Sequence, residues 1–283
     1  VISEEGDTLR CAAPGGLHGA AVQLPYPSVG ATENLLIAAA GTPAETKITG
    51  AAAEPEISDL LAYLRGCGAL IESQPDGAIL VQGREALTGC CCHAILPDRI
   101  EAATYLAAAA ITGGEITVYA SPEHLAAPLA ALRRMGCRIT TGEQSITLTA
   151  PEHLQGAGSI VTLPYPGFPT DLQAIFMALA AAAEGYTAFT ETVFPRRWAH
   201  VEELRRLGAD ITVVGSHAVI RGAPLIGSAL TCTDLRAGAA VVLAALAAKG
   251  ESSVTAISHI ERGYADFVST LRHLGADIYL TEV

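Results

Sequence analysis

Leu204-Arg205-Arg206-Leu207-Gly208 ends a short amphipathic run, and nearly the same five residues occur three more times along the chain. The relatives of that phrase are Leu64-Arg65-Gly66-Cys67-Gly68, Leu132-Arg133-Arg134-Met135-Gly136 and Leu271-Arg272-His273-Leu274-Gly275. Arginine in a last helical turn suits the negative end of the helix dipole. Glycine just beyond it takes the left-handed conformation that closes a helix. Each phrase therefore reads as the end of a helix, followed by a strand-like run such as Asp210–Val214 or Asp277–Leu280. Upstream of each lies a second, more apolar helix, for example Leu172 to Ala183 and Leu235 to Lys249, stopping at Gly185 and Gly250.

The repeating unit is then strand, helix, strand, helix, strand, strand, with a period of roughly 60–75 residues, longer than the 20–50 of most solenoids. Units of this size close into a compact domain with sheets outside and apolar helices inside. The alanines of the buried helices allow close approach. A stacked solenoid is the structural alternative, but no polar end cap is visible. The texture changes between Leu87-Thr88-Gly89 and Leu96-Pro97. The boundary is placed there: one unit in 1–95 and three in 96–283. A single unit cannot bury its apolar helix alone. It is expected to pack on the other three, to pair with another chain, or to be partly mobile.

The bulk composition narrows the function classes. A formal net charge of -12 disfavours nucleic-acid binding, which needs a basic face. No apolar run reaches the roughly 20 residues needed to cross a bilayer. Val1-Ile2-Ser3-Glu4-Glu5 has neither the basic nor the apolar region of a signal peptide, and it lacks a methionine, which suggests a start partway through a longer product. Cysteine is odd in number at seven, with Cys90-Cys91-Cys92 consecutive. Adjacent cysteines fit neither disulfide nor zinc geometry, so buried or half-buried thiols in a reducing cytoplasm are expected. No metal is suggested.

The residues that open the apolar helices carry the chemistry. They are Pro27-Ser28-Val29-Gly30-Ala31-Thr32, Leu96-Pro97-Asp98-Arg99-Ile100-Glu101, Phe168-Pro169-Thr170-Asp171-Leu172 and Thr231-Cys232-Thr233-Asp234-Leu235-Arg236. Serine, threonine and aspartate at a helix start are ordinarily caps. Arg99 and Arg236, however, fall in a first turn, where the dipole disfavours a cation. Such a charge implies an anionic partner, either a bound phosphate or carboxylate or a neighbouring acidic side chain. Phe194-Pro195-Arg196-Arg197-Trp198-Ala199-His200 and His259-Ile260-Glu261-Arg262-Gly263-Tyr264 add further arginines on connections, where function concentrates. A solvated surface charge is the plainer alternative for Arg262.

In that order, and together with Pro27-Ser28-Val29-Gly30-Ala31-Thr32-Glu33-Asn34 and Tyr165-Pro166-Gly167-Phe168-Pro169-Thr170-Asp171-Leu172-Gln173-Ala174, these phrases resemble the UDP-N-acetylglucosamine enolpyruvyl transferases. The likeness runs from about Ser28 to Asp277. It implies an inside-out α/β barrel of βαβαββ repeats, in two domains of three units, with substrates between them. Four of the six units are present here. The reaction implied is addition–elimination: the sugar 3-hydroxyl attacks C2 of phosphoenolpyruvate and phosphate leaves, with no cofactor. The resemblance makes Asp171 the base, a role that a raised pKa would suit. It places Ser28, Val29 and Gly30 at the diphosphate, and Val193, Phe194 and Arg197 at the nucleotide sugar. Arg236 and Arg262 hold the phosphoenolpyruvate anion and its transition state, with Asp234 arranging them.

There are departures. The missing units would carry a Lys-Asn motif and a mobile lid with a catalytic cysteine. Cys11 comes nearest but lacks a lid-like context, and the chain alone is expected to be inactive. Ala53 stands where many members have arginine and Tyr26 where some have lysine. The rival readings are a shikimate-pathway transferase and a non-catalytic paralogue that binds a nucleotide sugar or a protein. Self-association through the incomplete domain is a further expectation.

Overall fold

The left-handed glycines foreseen at the ends of the repeats are all present, at φ 94° for Gly68, 94° for Gly136, 98° for Gly208 and 100° for Gly275. The computed structural model describes residues 1–89 and 92–281. These residues form two compact units, Val1–Leu96 and Pro97–Val283.

The first unit opens with an exposed hairpin of β1 (Ile2–Glu5) and β2 (Thr8–Cys11), which the sequence reading did not anticipate. Next come β3 (Ala21–Gln23), α1 (Val29–Ala40), β4 (Glu45–Thr49), α2 (Pro55–Gly66), β5 (Leu70–Ser73) and β6 (Ile79–Gln82). The strands form one sheet in the order β3-β4-β6-β5. Leu36, Ile48, Leu61 and Val81 centre its core. The α1 helix buries Thr32, Leu36, Ala39 and Ala40, but leaves Gly30, Asn34 and Ala38 exposed and Ile37 57% exposed.

The second unit holds three repeats. The first comprises α3 (Arg99–Thr112), β7 (Glu115–Val118), α4 (Ala126–Arg134), β8 (Arg138–Thr141) and β9 (Ile146–Thr149). The second is β10 (Gly158–Val161), α5 (Gln173–Ala182), β11 (Tyr186–Thr190), α6 (Val201–Arg206), β12 (Asp210–Val214) and β13 (His217–Arg221). The third is β14 (Ala229–Thr231), α7 (Leu235–Ala247), β15 (Ser253–Thr255) and α8 (Phe267–His273). The full pattern appears in the second repeat, whose sheet runs β10-β11-β13-β12, with β10 parallel to β11 and the other pairs antiparallel. This is the same order as in the first unit.

Helices α3, α5 and α7 pack on one another pairwise, and contact between the first and third excludes a linear stack. Every residue of α5 from Gln173 to Ala181 is buried. Alanines at 174, 178, 180 and 181 keep the helix axes close, while Phe176 lies edge-on to Phe168, with ring centroids 4.9 Å apart. Burying a side chain of the size of Phe176 or Leu179 contributes about 1.5–3 kcal/mol.

Three expectations need correction. Asp277–Leu280 is irregular, not a strand, because the antiparallel mate that pairs with such a run in the other repeats is missing among the described residues. Leu274 of the same phrase is accordingly 52% exposed, whereas Leu207 is fully buried. The first repeat of the second unit has no leading strand at 92–96, and its sheet has only β7-β9-β8. Finally, Cys11 and Cys92 are exposed thiols; Cys67, Cys137 and Cys232 are buried, and Cys90 and Cys91 lie outside the described residues.

The recurrent arginines do more than complement a dipole. Arg65 donates to the Ile71 carbonyl at 3.0 Å and Arg205 to that of Ile211 at 3.2 Å, each tying a closing helix to the strand six residues on.

Candidate functional site

Each repeat of the second unit starts its buried helix with an aspartate, and the three are used differently. Asp98 caps α3, accepting from the Ile100 and Glu101 N–H groups at 2.8 and 3.0 Å. Asp234 caps α7 in the same way, accepting from Arg236 and Ala237 at 2.9 and 2.8 Å. Asp171 caps nothing. Pro169 and Thr170 lead into a single 3₁₀ turn, Thr170–Leu172, before α5 begins, and the Asp171 carboxylate turns outward.

Two guanidinium groups meet it there. Arg197 Nη1 donates to Asp171 Oδ1 at 2.7 Å, and Arg236 Nη2 to Oδ2 at 3.4 Å. The Asp171 side chain is 39% exposed, so this cluster opens to solvent on one side. Arg236 is 13% exposed and also donates to the Tyr264 hydroxyl at 3.1 Å, which in turn lies 2.9 Å from Thr104 Oγ1. The first-turn cation thus has its anion: Asp171, itself a candidate residue.

Close packing sets this geometry. The segment Ile257–Arg262 lies against α7, where a Cβ on Gly238 would come within 2.8 Å of Ile260. One on Gly263 would meet the Leu235 side chain at 2.7 Å. Those two glycines let the segment lie close enough to seat Tyr264 beside Arg236. On the other side, the connection after β11 carries Arg197, whose guanidinium stands 5.4 Å from the Phe194 ring centroid. Glu191, fully buried at the end of β11, accepts the N–H groups of Val193 and Phe194 at 2.8 and 2.9 Å and so folds that connection.

Electrostatics follow from the same contacts. Burial alone would raise the Asp171 carboxyl, but Arg197 and Arg236 outweigh it and hold the pKa below the usual carboxylate value. The expected rise, suited to a base, is not met in this state. Burial pushes the Tyr264 hydroxyl up, against the pull of Arg236 and Thr104. His200, buried with Nε2 3.0 Å from Met177 Sδ, is pushed down to about 4, chiefly by desolvation, with Asp234 opposing and Arg197 assisting.

Of the residues singled out in sequence, Asp171, Arg197 and Arg236 come together, with Asp234 fixing the start of α7 and Val193 and Phe194 flanking Arg197. Arg262 is exposed and makes no hydrogen bond or ion pair among the described residues. Arg99 is buried and stacks over Tyr165 at 5.7 Å. Ser28, Val29 and Gly30 start α1 in the other unit: Ser28 accepts weakly from the Ala31 N–H at 3.4 Å, and the space beside Gly30 is open. Sequence reading missed Tyr264, Thr104, Thr170 and Glu191. Tyr264 sat at the end of a quoted phrase. Nothing local marked Thr104, because its partner lies 160 residues away. Among the described residues no group of three or more His, Cys, Asp or Glu side chains could hold a metal, and no helix is long and apolar enough to cross a membrane.

The chain as a whole is similar to known proteins. Residues 2–271 match the family model described as EPSP synthase (3-phosphoshikimate 1-carboxyvinyltransferase). UDP-N-acetylglucosamine 1-carboxyvinyltransferase 1 of Symbiobacterium thermophilum is 46% identical over 98% of this chain and 63% of its own length. UDP-N-acetylglucosamine 1-carboxyvinyltransferase of Gluconacetobacter diazotrophicus is 45% identical over 98% of this chain and 66% of its own. The chain therefore spans just under two thirds of these curated relatives. Among solved structures, the enolpyruvyl transferase NikO from Streptomyces tendae superposes with a TM-score of 0.88 at 27% identity, over 99% of this chain and 69% of that one.

Proposed function

The chain belongs to the EPSP synthase (3-phosphoshikimate 1-carboxyvinyltransferase) family, and from that premise we propose that it forms part of an enzyme that transfers the enolpyruvyl group of phosphoenolpyruvate to the 3-hydroxyl of UDP-N-acetylglucosamine, an early step of peptidoglycan synthesis. The observation that carries this reading is the Asp171 carboxylate held between Arg197 and Arg236. The names of the 45–46% identical relatives favour the nucleotide sugar over shikimate 3-phosphate as acceptor.

The geometry supports several parts of that chemistry. Arg236 stands at the start of α7, where the helix N–H groups add positive potential. An incoming phosphate or carboxylate competes with Asp171 for this guanidinium. As Arg236 turns to the ligand, Asp171 loses the charge that depresses it and becomes the stronger base. Binding of the anionic donor and activation of the base are thereby coupled. The sugar 3-hydroxyl gives its proton to Asp171 as its oxygen bonds to C2 of phosphoenolpyruvate and the C2=C3 π pair takes up a proton at C3. Loss of a C3 proton as the C2–O bond to phosphate breaks then restores the double bond. Arg236 and Arg262 offset the charge of the tetrahedral species and of the departing phosphate. Val193, Phe194 and Arg197 flank the sugar.

Free buried thiols at Cys67, Cys137 and Cys232 agree with a cytoplasmic setting. The exposed face of α1, with Ile37 at its centre, is where the first unit would associate with a second copy; sedimentation over a concentration series would report it.

Calorimetric titration of this chain decides between acceptors. UDP-N-acetylglucosamine is expected to bind and shikimate 3-phosphate is not. The reverse result overturns the assignment, and binding of neither removes the sugar from this half of the reading.

A further inference from the structure

We propose that Glu191 is a positioning residue, a buried carboxylate that orients Arg197 towards Asp171 through the Thr170 hydroxyl. The inference deepens the reading above and rests on Asp171 being the group that acts on substrate.

Glu191 is wholly inaccessible and gathers four donors. Its Oε1 accepts the Thr162 hydroxyl at 2.7 Å and the Val193 and Phe194 N–H groups at 2.8 and 2.9 Å. Its Oε2 accepts the Thr170 hydroxyl at 2.9 Å. Thr170 Oγ1 is also 3.1 Å from Arg197 Nη1. A guanidinium can only donate, and a hydroxyl has one proton. Thr170 must therefore accept from Arg197 and give its own proton to Glu191. The direction of the relay is fixed: Arg197 to Thr170 to Glu191. The same Arg197 Nη1 donates to Asp171 at 2.7 Å, so the orientation of the guanidinium reaches the substrate-facing carboxylate.

Thr162 repeats the logic. Its Oγ1 accepts the Thr192 N–H at 2.9 Å and donates to Glu191 Oε1 at 2.7 Å, far closer than the Thr190 carbonyl at 3.5 Å. One carboxylate thus fixes both the backbone of the 191–194 connection and the arginine that follows it. Glu191 touches no reacting atom; it acts through Thr170 and Arg197.

A glutamine has nearly the same shape and tests the polarity alone. Two backbone N–H groups face Oε1, so the amide oxygen must occupy that position and the amide nitrogen must face Thr170. Donor then meets donor, and Thr170 either loses its acceptor or turns its proton against Arg197. Leaving such a buried group unsatisfied is costly.

The experiment follows the Asp171 carboxyl ¹³C shift against pH in the full chain, alongside calorimetry with UDP-N-acetylglucosamine. For Glu191→Gln the Asp171 midpoint is expected to move up, and sugar affinity to fall by roughly 5- to 100-fold, the range for a broken charged hydrogen bond. Thr170→Val should do the same, while Thr170→Ser, which keeps the hydroxyl, should restore the wild-type midpoint. The double variant Glu191→Gln/Thr170→Val should be no worse than either single, since both break one relay. An unchanged midpoint in Glu191→Gln, or a Thr170→Ser that behaves like Thr170→Val, overturns the proposal. If Glu191→Gln does not fold, the two Thr170 variants decide it. Should wild-type protein fail to bind the sugar, the functional assignment falls, yet the Asp171 midpoints still test the relay.

Discussion

The starts of α5 and α7 are equivalent points in two repeats, and each has an aspartate, yet the two carboxylates have opposite duties. Asp234 turns back onto its own helix and satisfies two N–H groups that would otherwise be orphaned. Asp171 leaves its helix uncapped and faces two arginines from neighbouring elements. A local interaction has been given up at α5, and the freed carboxylate is available to solvent and ligand. Repeated architecture thus supplies several similar helix starts, and function appears where one of them breaks the local rule.

Several substitutions can break or sharpen that contrast. The largest expected effect comes from Arg236→Ala, which removes the cation shared by Asp171 and Tyr264. Phosphoenolpyruvate affinity measured by calorimetry should fall by about 2–4 kcal/mol, the usual cost of leaving a desolvated charge without its partner. Asp171→Asn should weaken sugar-nucleotide binding while leaving thermal stability nearly unchanged.

A pH effect of similar size is expected from His200, on which Asp234 and Arg197 act in opposite senses. The folded pKa of about 4 lies below the ordinary 6.5. Between those values the unfolded chain binds a proton that the folded protein refuses, so stability falls as pH drops from 6.5 towards 4. The loss amounts to roughly 3 kcal/mol. Urea midpoints at pH 7, 5.5 and 4 should show it, and His200→Asn should flatten the profile over that window if it folds. For Asp171 the sign is that of a depressed carboxylate: its contribution is complete above the ordinary range and is lost as pH falls through the lower folded value. Exposure and solvent screening keep that contribution small.

The smallest effects separate the two duties most cleanly. Asp234→Ala and Asp98→Ala each remove a cap and should cost about 1 kcal/mol, seen as a fall of about 2–4 °C in Tm. If Asp171→Asn lowers the Tm as much as Asp234→Ala does, Asp171 is a structural residue and the contrast disappears.

Much of the fold was legible because it rests on local chemistry written four times. The closing phrases, their left-handed glycines and the alanine-rich helices were all visible as patterns. Terminal strands were not: Asp277–Leu280 has strand-like residues but no mate among the described residues, and pairing is a property of two segments. The site divides along the same line. Asp171, Arg197 and Arg236 could be singled out from helix starts and from resemblance, but their meeting could not be read locally, since Asp171 and Arg236 lie 65 residues apart. The lowered Asp171 pKa follows from that meeting and reverses the simplest expectation for a base. Glu191 was passed over because an acidic residue after a strand has no local signature; only its four donors give it a role. Arg262 was read from sequence as an anion ligand and stands exposed without a partner among the described residues, a placement that the local phrase could not supply.

The most direct test of the central claim is a crystal structure of this chain with UDP-N-acetylglucosamine. The account predicts the sugar 3-hydroxyl within hydrogen-bond reach of the Asp171 carboxylate, with Phe194 and Arg197 alongside. A sugar bound elsewhere, with Asp171 still enclosed by Arg197 and Arg236, would contradict it.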